Sequence, residues 1–164
     1  VVDLEQVVYE HAPWSEESFW GELAAGHSYV VDLDETGAVV GFAGLSVSFD
    51  EANVQTVAVA PSSRGQQRGA ALLDALLVCA GERGAARVGL EVASRNEHAL
   101  RLYYSRGFSR QGLRRGYYEA QQEDANLMGL ALWTERRAMP QERVHKGRGA
   151  WGWRRHGMNQ ASGT

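Results

Sequence analysis

The chain has 164 residues, 44% hydrophobic and 23% charged, with a mean hydropathy of -0.37 and a net charge of -3. That length suits one domain burying roughly two-thirds of its unfolded surface. No apolar run approaches the ~20 residues of a membrane span, and no basic-then-apolar secretory signal opens the chain. A lone Cys79 excludes a disulfide framework and any multi-cysteine metal site, and makes a reducing cytoplasm the simplest location. The five His have no metal-ligand spacing, so no metal is expected.

Charge is distributed unevenly. Residues 1–63 carry 11 carboxylates and no Lys or Arg, whereas residues 135–164 carry 7 basic residues against 2 acidic ones. The body, 1–134, is therefore 10 basic against 18 acidic, a field that favours a cationic partner. Trp151 and Trp153 among the tail arginines could stack on RNA. A solvated tail is the simpler expectation, with neither nucleic acid nor membrane as a partner.

In chain order, apolar positions 4, 7 and 8 predict a short helix within residues 1–12, broken by Pro13-Trp14. Ser15 is suited to cap a second helix with Glu16 and Glu17 in its first turn, ending at Gly26. Two β-branched runs, 28–34 and 38–49, flank Glu35-Thr36-Gly37 and predict a hairpin; a third strand covers 52–60. Apolar residues at 72, 73, 76, 77 and 80 mark one face of a helix that Gly84 can end. A buried strand at 86–93, a helix from Asn96 to Gly107 and strands at 107–118 and 124–133 complete the pattern. Strands followed by helix–strand–helix–strand argue an α/β fold with a parallel crossover. Beyond Arg136 periodicity fails.

The strand-to-helix turn SSRGQQRGA is the most informative segment. Backbone N–H groups of Gly65, Gln66, Gln67, Arg68, Gly69 and Ala70 at a helix N-terminus suit pyrophosphate, with Arg64 and Arg68 adding charge. A plain structural turn is the alternative. It is neither a Walker loop nor a G-x-G-x-x-G turn. Alternation from Val88 to Val92 sets Gly89 and Glu91 opposite the three apolar residues, so Glu91 is either a salt-bridged carboxylate or a base. Tyr103 and Tyr104 are adjacent, and one of them can simply fill the core.

The run from Val57 to Leu73, VAVAPSSRGQQRGAALL, resembles the acetyl-CoA-binding segment of the GNAT acetyltransferases, [Q/R]-x-x-G-x-[G/A]. Arg64 and Gly69 match its ends, while Gln67 stands where an inner Gly is usual. Further segments extend the likeness over residues 3–132: Pro13-Trp14-Ser15, Leu90-Glu91-Val92, Asn96, Ala99 to Tyr103, Gly107-Phe108, Arg114 to Tyr118, and Glu123 through Met128. The ordered set resembles the branch of the family that acetylates the N-terminal alanine of ribosomal protein S18.

That resemblance implies a GNAT fold: a mixed, mostly antiparallel sheet with a parallel crossover, flanked by helices. It implies acetyl-CoA as co-substrate and direct attack by an amine, with Glu91 as base and Tyr103 as acid. The backbone of Val57, Ala58 and Val59 would hold the thioester and pantetheine, and the 64–70 loop the pyrophosphate. Asn96 is a helix cap, or also a pantetheine contact. Trp14, Tyr117 and Tyr118 are expected in the acceptor groove, with aromatic core packing as the alternative. In two further respects the chain departs from the family: Glu119 replaces a usual Pro, and the family's first strand, expected before residue 3, is missing. The expected organisation is an acetyltransferase domain over 1–134 and a basic tail over 135–164. Alternatives are a GNAT enzyme acting on lysine or a small amine, and a non-catalytic acyl-CoA-binding module.

Overall fold

A computed structural model describes residues 1–8, 14–118 and 123–132, and of Tyr118 the backbone. The expected tail, Glu119 and the end of the first predicted helix lie outside the described residues. Six strands form one sheet: β1 (Ser28–Leu33), β2 (Val39–Ser48), β3 (Glu51–Val59), β4 (Arg87–Ala93), β5 (Ser109–Tyr118) and β6 (Glu123–Ala131). Their order is β1-β2-β3-β4-β6-β5, and only β3 and β4 run parallel. The helices are α1 (Val2–Val8), α2 (Glu16–Ala24), α3 (Arg68–Glu82) and α4 (Glu97–Ser105).

Local chemistry accounts for the joints. Ser15 Oγ accepts the N–H of Ser18 at 3.1 Å and starts α2 as expected. In the β1–β2 turn, Asp34 does more than the predicted Glu35-Thr36-Gly37: its carboxylate accepts the N–H groups of Thr36 and Ala38 and the Thr36 hydroxyl. Such an Asx-type bond network fixes the reversal without help from strand pairing.

α3 crosses from β3 to β4 and buries Leu72, Leu73, Leu76 and Ala80, four of the positions its periodicity marks. These meet Val88, Leu90 and Val92 of β4, Ala52 and Val54 of β3, and Tyr103 and Phe108 at the end of α4. On the opposite face α1 and α2 cover a smaller core of Leu4, Phe19, Phe42 and Ala58. Phe19 centres an aromatic cluster, with its ring 5.5 Å from Trp14, 5.6 Å from Tyr29 and 5.8 Å from Phe42. A Cβ at Gly44 would stand 2.7 Å from the Tyr29 ring, so only glycine lets that ring lie against β2.

One irregularity shapes the site. Parallel pairing of β3 with β4 runs from Glu51–Arg87 to Val54–Leu90 and then stops. At the same point the β2–β3 register slips: Gly44 pairs with Thr56 but Leu45 with Val54, leaving Gln55 as an extra residue. A bulge bends its strand. Residues 55–59 and 91–93 therefore part from one another.

Candidate active site

Between the freed half of β3, the start of α3 and α4 lies a cavity of about 950 Å³. The Ala60 N–H donates to the Val40 carbonyl of β2. Because peptide groups alternate along a strand, Ala58 also turns its backbone toward β2, while Val57 and Val59 turn theirs toward the cavity they line. Consistent with this, the Val59 carbonyl accepts from Arg64 Nε at 3.3 Å. Ala58, expected beside them, is instead buried in the Leu4–Phe19–Phe42 core. Strand alternation, once the pairing with β2 is set, separates its backbone from theirs.

The loop that follows carries two left-handed residues, Gly65 at φ +77° and Gln67 at φ +59°. They reverse the chain into α3, whose N-terminus no side chain caps. The Ala71 N–H is the first to reach back, to the Gln67 carbonyl. The amides of Arg68, Gly69 and Ala70 thus have no intrahelical acceptor and, with the helix dipole, form an anion cradle. Gln67 tolerates a conformation that suits glycine, at a strain on the order of 1 kcal/mol, and its side chain is exposed. Gly69 keeps the cavity open: its Cβ would project between Leu102 Cδ2 at 3.6 Å and Val59 Cγ2 at 3.8 Å.

Two loop residues also have neighbours outside this cavity. Gln66 lines a shallower hollow against β1 and not this cavity. Arg68 lines both, but Nη1 is held by Asp32 Oδ2 at 2.8 Å. Asp32 lies 36 positions away on β1, and nothing in the loop sequence announces it.

α4 supplies the far wall. Asn96 Oδ1 accepts the Ala99 N–H at 3.1 Å, so it is the helix cap, and it also lines the cavity. Tyr103 is buried, its ring 5.8 Å from Phe108, and it reaches the cavity; Tyr104 is 53% exposed. The core, not local pattern, decides which of the pair points inward. Arg64, His98, Arg101 and Arg106 add a basic rim that composition had not suggested in so acidic a body. Arg106 grips Asp74 at 2.7 and 3.1 Å, and these bonds hold the Asp74 carboxyl below the usual carboxylate range.

Glu91 projects from the other face of β4, opposite Val88, Leu90 and Val92, as strand alternation predicts. It borders a trough of about 660 Å³ with Ser46, Asn53, Gly89, Gln111 and Leu127. Arg114 of β5 reaches across β6 to it, Nη1 to Oε1 at 2.8 Å. The Arg114 guanidinium also lies 5.0 Å from the Tyr117 ring centroid. Tyr117 is hydrogen-bonded to Glu91, and this bond together with desolvation raises the phenol above its ordinary value. Glu91 and Tyr117, far apart in sequence, are thus brought together. Tyr118 pairs with Glu123 through its backbone.

Trp14 is not among them. Its ring packs on Phe19, and its N–H donates to Glu5 Oε1 at 3.2 Å. Glu5 is buried, which pushes its carboxyl up, and its Oε2 has no hydrogen-bond partner among the described residues. The Tyr29 hydroxyl and Gln55 Oε1 are also buried without one, and burial beside Glu22 and Glu5 pushes Tyr29 up to about 12. Among the described residues no three His, Cys, Asp or Glu side chains gather as a metal site, and no helix is long and apolar enough to cross a membrane.

Comparison with known proteins fits this geometry. Residues 2–108 match the profile described as the acetyltransferase (GNAT) family. The N-alpha-acetyltransferase RimI of Mycobacterium tuberculosis is 42% identical over 120 residues, 71% of this chain and 74% of that protein. The crystal structure of the ribosomal-protein-S18-alanine N-acetyltransferase from Escherichia coli superposes with a TM-score of 0.74 at 32% identity, covering 88% of this chain and 90% of that one. A phosphinothricin acetyltransferase from Sinorhizobium meliloti, solved in complex with acetyl-CoA, aligns at 25% identity and a TM-score of 0.69 over 88% of this chain and 87% of its own. With the family profile spanning residues 2–108 and relatives above 30% identity, the chain belongs to the GNAT acetyltransferase family.

Proposed function

We propose that this chain transfers an acetyl group from acetyl-CoA to the N-terminal alanine amine of a protein, ribosomal protein S18 being the acceptor its relatives suggest. The observation that carries the reading is the convergence of α3's uncapped N-terminus, the Val57 and Val59 backbone beyond the β4 pairing and Tyr103 on one cavity, with Glu91 on the opposite face of the parted strands. The diphosphate of CoA suits the amides of Arg68 to Ala70 and the basic rim, and pantetheine suits the free edge of β3 as an added strand partner. Glu91 takes a proton from the acceptor ammonium. The freed amine nitrogen attacks the thioester carbonyl carbon, the C–S bond breaks as Tyr103 gives its proton to the departing sulfur, and the second proton lost from nitrogen restores the phenol. Backbone N–H groups of β3 stabilise the intermediate oxyanion.

The acceptor class follows from charge and proton affinity. Eleven carboxylates and no cation in residues 1–63 attract a basic peptide such as one beginning Ala-Arg. An α-amine, pKa about 7.7–8.0, is easier to deprotonate than lysine at about 10.4, a difference of roughly 3–4 kcal/mol. Residues 1–134 are the catalytic unit in this reading, the basic tail is dispensable to it, and a cytoplasmic location goes with a ribosomal substrate.

Mass spectrometry tests it. An Ala-Arg-starting peptide should be acetylated with kcat/KM at least ~100-fold above an N-blocked peptide offering only lysine. Equal rates would favour lysine acetylation instead. Tyr103→Phe should lower kcat with little change in KM for acetyl-CoA, and Glu91→Gln should lower turnover; full activity in both would remove these roles.

A further inference from the structure

Glu91 is already occupied by a cation of the protein itself. Its Oε1 holds Arg114 Nη1 at 2.8 Å, and its carboxylate also accepts the Tyr117 hydroxyl. An incoming ammonium group must donate to that same carboxylate, and two cations held at one carboxylate repel each other. That repulsion favours release of one of the present partners. Arg114 is the one that can: its side chain is 53% exposed, on a long flexible stem, and ion pairs this open contribute little. The exchange is also chemically even. A guanidinium and an α-ammonium each bring one positive charge and several N–H donors, so the net charge at Glu91 is unchanged.

We propose that Arg114 is an internal stand-in for the acceptor's ammonium group, closing Glu91 in the free enzyme and displaced when the acceptor's N-terminus arrives. It is a positioning residue that sets acceptor affinity by competition. This rests on Glu91 being the base that faces the acceptor. Acetylation converts the ammonium into a neutral amide, which offers Glu91 no charge; once Glu91 passes the proton it took to solvent, Arg114 re-pairs, and product binding requires no exchange.

Steady-state kinetics at low ionic strength with a synthetic peptide beginning Ala-Arg separate the outcomes, using wild type, Arg114→Met and Arg114→Lys. Arg114→Met should lower KM for the peptide about two- to fivefold, with the gain in KM and not in kcat. Arg114→Lys, which keeps a displaceable cation, should return KM toward the wild-type value. The inhibition constant of the N-acetylated peptide should stay the same in all three. A peptide KM unchanged or raised in Arg114→Met overturns the exchange, as does an equal shift for substrate and acetylated product, which would mean simple steric blocking. If wild type binds acetyl-CoA but leaves the peptide unmodified, the reading of Glu91 and this inference fall together. If it acetylates the peptide and only the KM shift is missing, the exchange alone falls.

Discussion

Toward α3 and α4 the sheet turns a core of fifteen buried hydrophobic residues, Leu73, Leu76 and Val88 among the most enclosed, with the buried Asn126 beside Val92. Toward α1 and α2 the buried core among the described residues is four, and around it Glu5, Tyr29 and Gln55 bury polar atoms with no hydrogen-bond partner among those residues. Unmet polar groups in a low-dielectric interior oppose folding, and close apolar packing favours it. The first face is therefore the rigid frame that holds α3's amides and Tyr103 in register. The second carries groups whose presence stability alone does not explain.

The largest expected effect tests the frame. Leu73→Ala, at a fully buried site, should lower unfolding free energy by about 2–5 kcal/mol in a denaturant titration. A smaller loss than that from Leu4→Ala would reverse the comparison. Next comes the cavity the frame defines. Gly69→Leu would drive a side chain between Val59 and Leu102, and CoA affinity by calorimetry should fall at least ~10-fold, about 1.4 kcal/mol, while thermal stability holds. Undiminished affinity would move the cofactor elsewhere.

A third change acts on strain. Gln67→Gly removes a left-handed non-glycine residue and should raise stability by up to about 1 kcal/mol without loss of CoA affinity. Destabilisation would mean that the Gln67 side chain contributes a contact of its own.

The smallest effect concerns the polar face. Burial raises the Glu5 carboxyl, so the folded state binds the proton more tightly than the unfolded one. Stability from this group is present below the unfolded value, about 4.3, and is lost as pH rises through the folded one. Glu5→Gln keeps an oxygen for the Trp14 N–H and removes the titration. Its melting temperature should exceed wild type at pH 7, the gap closing as pH falls toward 4. A gap that widens on acidification would give Glu5 a stabilising charge partner instead.

Much of this protein is legible because its signals are local. The Ser15 cap, the 72–73–76–80 face of α3, the Asn96 cap and the alternation that sets Glu91 against Val88, Leu90 and Val92 need only neighbours a few residues away. Trp14 and Tyr117 are both aromatic residues of motifs, yet one fills a core and the other binds Glu91. No local pattern separates them, because the difference lies in which strand or helix stands opposite.

Three features were decided by tertiary structure. The bulge at Gln55 parts β3 from β4, and a bulge is a matter of register between strands, invisible along one of them. Ala58 leaves the cavity because β2 claims its backbone, whereas Val57 and Val59 turn theirs toward it. Arg114 meets Glu91 because Gly112 and Leu127 are paired on β5 and β6 while Leu127 and Glu91 are paired on β6 and β4, a coincidence of two ladders. By itself, the order of residues determined helices, strands, caps and the glycine-marked turn before α3, since dihedral preference and periodic burial act over one or two turns of chain. Ion pairs and cavities belong to chain segments that meet only after folding.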